Sequence, residues 1–148
     1  MPKILFVCNS NRSRSPMAAA MFADFARQAG LETVQVESAG LRADARQMLP
    51  EAVSATLADM GLRPLQLGLR QVLPKMLKSA DLIICFTATQ LAELERSYPS
   101  ARGKSRLLMS LVNSEAGVFD PGRGDLQKFR QCAEMMRPAL MKLAESLA

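Results

Sequence analysis

The stretch Lys3-Ile4-Leu5-Phe6-Val7-Cys8-Asn9-Ser10-Asn11-Arg12-Ser13-Arg14-Ser15-Pro16-Met17-Ala18 joins three kinds of segment. Residues 4–7 form an unbroken apolar run, the pattern of a strand buried on both faces. Residues 9–14 are all Asn, Ser or Arg and read as a loop. Ser15-Pro16 opens a helix, with Ser15 as N-cap and Pro16 at the first helical position. Ala18, Phe22, Phe25 and Ala29 then recur at helical spacing, and Gly30 supplies the stop. A buried strand, a short polar loop and a capped helix form the first half of a strand–helix–strand unit.

The same alternation continues outward from this stretch. Residues 33–38 alternate like a second strand, and Ser38-Ala39-Gly40 ends it. Residues 41–50 carry charges without periodicity and read as a loop. Residues 51–60 read as a helix stopped by Gly61. Residues 71–79 are weakly helical, with Pro74 in the first turn. Residues 81–86 (DLIICF) are a second buried strand pattern, 87–98 a helix that ends before Pro99, and 106–109 a short fourth strand. Residues 113–124 form a loop containing Asp120-Pro121. From Leu126 onward the apolar positions mark a long amphipathic helix, and Pro138 is expected to kink it. No repeat, linker or low-complexity segment divides the 148 residues. The pattern predicts a single three-layer α/β domain, residues 1–148, with a four-stranded parallel sheet and helices on both faces. In such sheets ligands bind outside the carboxyl ends of the strands, and the Cys8 loop lies at one such end.

Composition removes whole classes of chemistry. Histidine is absent. That excludes imidazole acid–base catalysis, Ser-His-Asp and Cys-His nucleophile pairs, and every His-containing metal site. The three cysteines, Cys8, Cys85 and Cys132, are odd in number and widely spaced, with no C-x-x-C. They are neither a disulfide framework nor a zinc site, and they point to a reducing cytoplasm. No apolar run is long enough for a membrane span, and the five-residue run near the start is too short for a signal-peptide core. The net charge of +5 suits an anionic ligand. It is spread along the chain without a basic helix or aromatic platform, so no nucleic acid is expected.

The chemistry therefore falls on the loop, where Cys8 is followed after five residues by Arg14 and Ser15. Only Cys8 has this spacing, because Leu91 and Pro138 stand six residues beyond Cys85 and Cys132. The bare spacing is weak evidence, arising by chance in roughly one such chain in four; its place between strand and helix makes it specific. A tight turn before a helix aims backbone N–H groups at one anion, and the helix dipole adds positive potential. Asn9, Ser10, Asn11, Arg12 and Ser13 would form this cradle. The planar fork of Arg14 grips two oxygens of a tetrahedral oxyanion. The same field favours an anionic Cys8 sulfur, to which Ser15 could donate its hydroxyl hydrogen. A thiolate beneath a bound phosphate is placed for in-line attack on phosphorus. Without histidine, the acid for the leaving oxygen must be a carboxyl on a loop, and Asp120 between the last strand and the last helix is the candidate.

The segment ILFVCNSNRSRSPMAA resembles the signature of the low-molecular-weight protein tyrosine phosphatases. Ser38-Ala39-Gly40, Ala80-Asp81-Leu82-Ile83 and Asp120-Pro121 also match family segments in the same order. The resemblance implies hydrolysis of phosphate monoesters, on a phosphorylated protein or a small phosphomonoester, through a cysteinyl-phosphate intermediate without metal or cofactor. It implies Cys8 as nucleophile, Arg14 as phosphate ligand, Asn11 and Ser15 as supports of the loop and thiolate, and Asp120 as acid and then base. Departures are Ser10 for the usual glycine, Ser13 for the family's second loop cysteine, Gly122 for the aromatic residue after Asp-Pro, and no ring in residues 41–48. With Arg12, Arg42, Arg46 and Arg123 expected around the mouth, these departures predict a weak phosphotyrosine preference and a more acidic or less aromatic substrate. Two alternatives stand beside this reading. One is a thiol-dependent arsenate reductase, which needs relay thiols that only Cys85 approaches. The other is a catalytically weak phosphate-binding module, against which the joint retention of Cys8, Arg14 and Asp120 argues.

Overall fold

Lys3–Cys8 forms the central strand β1, and every residue from Ile4 to Cys8 is buried. The computed structural model describes residues 2–148. Successive side chains of a strand point to opposite faces, and both faces here meet helices. Ile4, Phe6 and Cys8 join one core, together with Met17, Met21 and Phe22 of helix α1 (Arg14–Gln28) and Phe129, Met136 and Leu140 of helix α5 (Leu126–Leu147). Leu5 and Val7 join the other, with Leu77 of helix α3 (Pro74–Ser79) and Leu94 of helix α4 (Ala88–Ser97). Helix α2 (Glu51–Ala58) adds Val53 and Leu57 to the first core. The Phe6 ring packs tilted against those of Phe22 and Phe86, with centroids 5.7 and 6.4 Å away. Burying each such ring stabilises the fold by roughly 1.5–3 kcal/mol.

Strands β2 (Gln35–Gly40), β3 (Leu82–Cys85) and β4 (Ser105–Leu107) complete a four-stranded sheet in the order β2-β1-β3-β4. All pairs are parallel, as the alternation of apolar runs and helices predicts. The chain leaves β1 toward one edge of the sheet and later returns to the other. The switch point therefore lies between β1 and β3, where crevices form outside the strand ends. Cys8 closes β1 at that point, opposite Gly40 of β2.

Several boundaries differ from those expected. Helix α1 begins at Arg14 with Ser13, not Ser15, at the N-cap position. The Ser15 hydroxyl is engaged by the active loop, and Pro16 is tolerated because first-turn N–H groups have no intrahelical partner. The second strand runs two residues later than its alternation suggested, because its small residues Ser38-Ala39-Gly40 pair with Phe6-Val7-Cys8. The weak helix at 71–79 shortens to α3, since Gln71 is held in a parallel bridge with Gly40. The fourth strand covers Ser105–Leu107, and a 3-10 turn, Leu108–Val112, follows it. Helix α5 runs unbroken through Pro138, which sits on its exposed side. No described helix is long and apolar enough to cross a membrane.

Candidate active site

Between β1 and α1 the chain turns through Asn9–Ser13, and Asn11 is the pivot. It adopts a left-handed conformation (φ 60°) and is fully buried. An asparagine accepts this conformation when its side chain is satisfied locally, and here it makes four hydrogen bonds. Its Oδ1 accepts from the Arg70 backbone N–H at 2.8 Å and from Gln66 Nε2 at 2.9 Å. Because the Arg70 N–H can only donate, the opposite atom must be Nδ2. That group donates to Ser15 Oγ at 2.8 Å and to Ser38 Oγ at 3.0 Å. Ser15 Oγ thus already accepts a hydrogen bond, and its own hydrogen is free for Cys8 Sγ at 3.0 Å, with Ala39 O more distant at 3.4 Å.

A left-handed residue in such a turn directs successive N–H groups to one side, forming a nest for an anion. Among the described residues, none of the backbone N–H groups of Asn9, Ser10, Asn11, Arg12 and Ser13 donates to a protein acceptor. The N-terminus of α1 adds its partial positive charge. Gly40 sets how closely β2 approaches this loop. A Cβ there would lie 2.7 Å from the Asn11 N, 2.8 Å from the Ser10 carbonyl carbon and 2.9 Å from Asn9 O, all backbone atoms. The extension of β2 holds the same turn by backbone bonds from Leu41 N to Cys8 O and from Arg42 N to Asn9 O.

Arg14, the first residue of α1, is only 4% exposed. Its Nη1 donates to the Val118 carbonyl at 3.1 Å, while Val118 N–H bonds Phe86 O beyond the end of β3. That link docks the Asp120 loop onto the same end of the sheet. Asp120 Oδ2 lies 3.6 Å from Arg14 Nη2, a slack ion pair, and Ser13 Oγ reaches Asp120 Oδ1 at 3.5 Å. The Gly122 N–H also donates to Oδ1 at 2.9 Å, and the carboxylate remains more than half exposed. Arg14 Nε is buried and has no partner among the described residues. A buried donor left unpaired costs free energy, and a tetrahedral oxyanion seated among these N–H groups would satisfy it.

The structure thus brings Cys8, Arg14, Asp120 and the Asn9–Ser15 turn into one place. The other two cysteines stay outside it. All three are free and buried. Cys85 faces the core opposite Cys8, and burial pushes its thiol up to about 12. Cys132 of α5 donates toward Phe119 O at 3.6 Å, and burial likewise pushes it up to about 12. Of the expected mouth arginines, Arg42 pairs with Glu93 and Arg46 with Asp44.

A family model described as low molecular weight phosphotyrosine protein phosphatase matches residues 3–148. The chain belongs to that family. It is 35% identical over 151 residues to a low molecular weight protein-tyrosine-phosphatase of Streptomyces coelicolor, covering 93% of this chain and 88% of the relative. It is 31% identical over 147 residues to a protein-arginine-phosphatase of Bacillus subtilis, covering 97% and 95%. The crystal structure of a YwlE mutant from Bacillus subtilis superposes with a TM-score of 0.93 at 28% identity, over 99% of both chains. This phosphatase hydrolyses phosphate monoesters through a cysteinyl-phosphate intermediate. Neither the reductase nor the inert-module alternative is needed to account for it.

Sequence reasoning missed the side-chain brace of this phosphatase's loop. Gln66 lies in a segment without periodicity, and no local signal marks it. Ser38 and Gly40 stood out as a strand end and as part of a segment that resembles the family's, without a role in the loop. Their placement beneath the loop comes from strand pairing.

Proposed function

We propose that this phosphatase acts on phosphorylated protein side chains, with Cys8 as nucleophile, Arg14 as phosphate clamp and Asp120 as the proton-transfer group. The observation that carries the reading is the cluster of unpaired donors in the turn that follows Cys8. Among the described residues, five loop N–H groups and the buried Arg14 Nε find no acceptor at the strand end that holds Cys8. The Ser15 hydroxyl lies 3.0 Å from that sulfur. Donors already in place where charge develops need little reorganisation, which is the main source of catalytic stabilisation.

In the first step the Cys8 thiolate attacks phosphorus from the floor of the cradle. An S–P bond forms and the bond to the leaving oxygen breaks on the opposite side. Asp120 gives that oxygen its proton. In the second step the Asp120 carboxylate takes a proton from water, whose oxygen attacks phosphorus. The S–P bond then breaks and inorganic phosphate leaves with the thiolate restored. Asn9, Ser10, Asn11, Arg12 and Ser13 hold the oxygens through their backbone N–H groups, and the Ser15 hydroxyl stabilises the sulfur anion. Three free thiols also suit a reducing cytoplasm.

Cys8→Ser tests the reading. It should abolish turnover of p-nitrophenyl phosphate while inorganic phosphate still binds, as measured by calorimetry. Substantial residual turnover would remove Cys8 as the covalent nucleophile.

A further inference from the structure

We propose that Arg12 selects substrates by charge, favouring a phosphomonoester flanked by carboxylates and disfavouring a leaving group that departs as a cation. This deepens the proposed function and rests on it. The neighbours of Arg12 fix its position. Asn11 on one side bonds Gln66 and the Arg70 backbone, and Ser13 on the other bonds Asp120. Arg12 therefore lies on the arc of rim between the Gln66–Arg70 segment and the Asp120 carboxyl. Cys8 is the floor of the cradle, so the group attached to phosphorus must leave across the rim, on the side where Asp120 protonates it.

Of the other arginines near this opening, Arg123 is exposed to water, which screens its charge, and has no carboxylate within 4 Å among the described residues, whereas the rest are paired. Arg14 faces Asp120, Arg42 pairs with Glu93, Arg46 with Asp44 and Arg70 with Glu37. Arg12 is half-buried, and among the described residues its guanidinium has no carboxylate within 4 Å and no hydrogen bond. A partly desolvated cation without a counter-charge attracts an anion from the substrate and repels a cation. The apolar side chains of Leu65 and Leu67, half or more exposed on the adjoining segment, add no opposing charge. An acidic phosphopeptide satisfies this rim. A phosphorylated guanidine does not, because its leaving group becomes a guanidinium beside Arg12.

The test measures kcat/KM for three peptides identical except at the sites named: phosphotyrosine with Asp on both sides, phosphotyrosine with Lys on both sides, and phosphoarginine with neutral flanks. Wild type should prefer the Asp-flanked over the Lys-flanked peptide by roughly three- to tenfold at low salt, with the ratio shrinking as salt rises. Arg12→Glu should reverse the ratio and raise phosphoarginine turnover relative to the Asp-flanked peptide. Arg12→Gln should bring the two phosphotyrosine peptides together. A wild-type ratio near one overturns the proposal without any variant, as does a ratio unchanged in both variants, which would mean that Arg12 only holds phosphate. In either case turnover of p-nitrophenyl phosphate shows that the phosphatase reading itself stands. A wild-type protein that hydrolyses neither p-nitrophenyl phosphate nor any peptide overturns both.

Discussion

Replacing Gly40 by alanine should damage catalysis more than stability. The added Cβ would meet three backbone atoms of the active loop, the nearest being the Asn11 N at 2.7 Å. Ordinary Cβ contacts begin at 3.4 Å, so the loop or the end of β2 must retreat by about 0.7 Å. Neither gives easily. The four hydrogen bonds of Asn11 tie the loop down, and Gly40 itself is pinned by backbone bonds to Arg70 and Val72. Overpacking of this kind costs about 1–3 kcal/mol, which for a chain of this size lowers the melting temperature by roughly 3–10 °C. A misplacement near 1 Å in a catalytic constellation costs on the order of 100-fold, so kcat/KM for p-nitrophenyl phosphate should fall by at least about tenfold, with weaker inhibition by inorganic phosphate. Gly68→Ala is the control. Its Cβ would find only Gln47 O at 3.9 Å, and Gly68 avoids the left-handed region. It should leave turnover unchanged and stability equal or higher by about 0.4–1 kcal/mol. A Gly40→Ala protein with wild-type turnover and melting temperature would refute the claim that close backbone approach shapes the cradle.

Other expectations concern proton transfer and the buried thiols. Asp120→Ala should slow substrates with poor leaving groups far more than p-nitrophenyl phosphate, read as a steeper dependence of kcat on leaving-group pKa; equal loss across the series would remove the acid role. Burial raises the Cys85 and Cys132 thiols to about 12. A raised folded value means that the stability from keeping the thiol neutral is complete below the ordinary value of 9 and is lost as pH climbs toward 12. The melting temperature should therefore fall between pH 9 and 12, and less steeply in Cys85→Ala, as followed by circular dichroism; parallel curves would contradict it.

Much of this protein was legible without coordinates, because its strongest signals are local. The apolar run at Ile4–Val7 and the helical spacing that begins at Ala18 depend on neighbours within a few turns, so β1, α1 and the parallel α/β class follow from them. The Cys8-to-Arg14 loop is also local, and strand-end physics is enough to propose an oxyanion there. The errors were local as well. Ser15 resembles an N-cap, yet it lies inside α1, and its oxygen accepts from Asn11 Nδ2 rather than from a first-turn N–H while its hydrogen is left for Cys8. What tertiary structure alone decided is everything held across long sequence gaps. Gln66 and Arg70 brace Asn11, Gly40 gives the loop its close seat, and Val118 and Asp120 meet Arg14 about a hundred residues away. No periodicity records such contacts, because they arise only when the strands pair and bring their carboxyl ends together. Residue order thus determined which groups were available for phosphate chemistry, and sheet assembly decided which of them could act on the same atom.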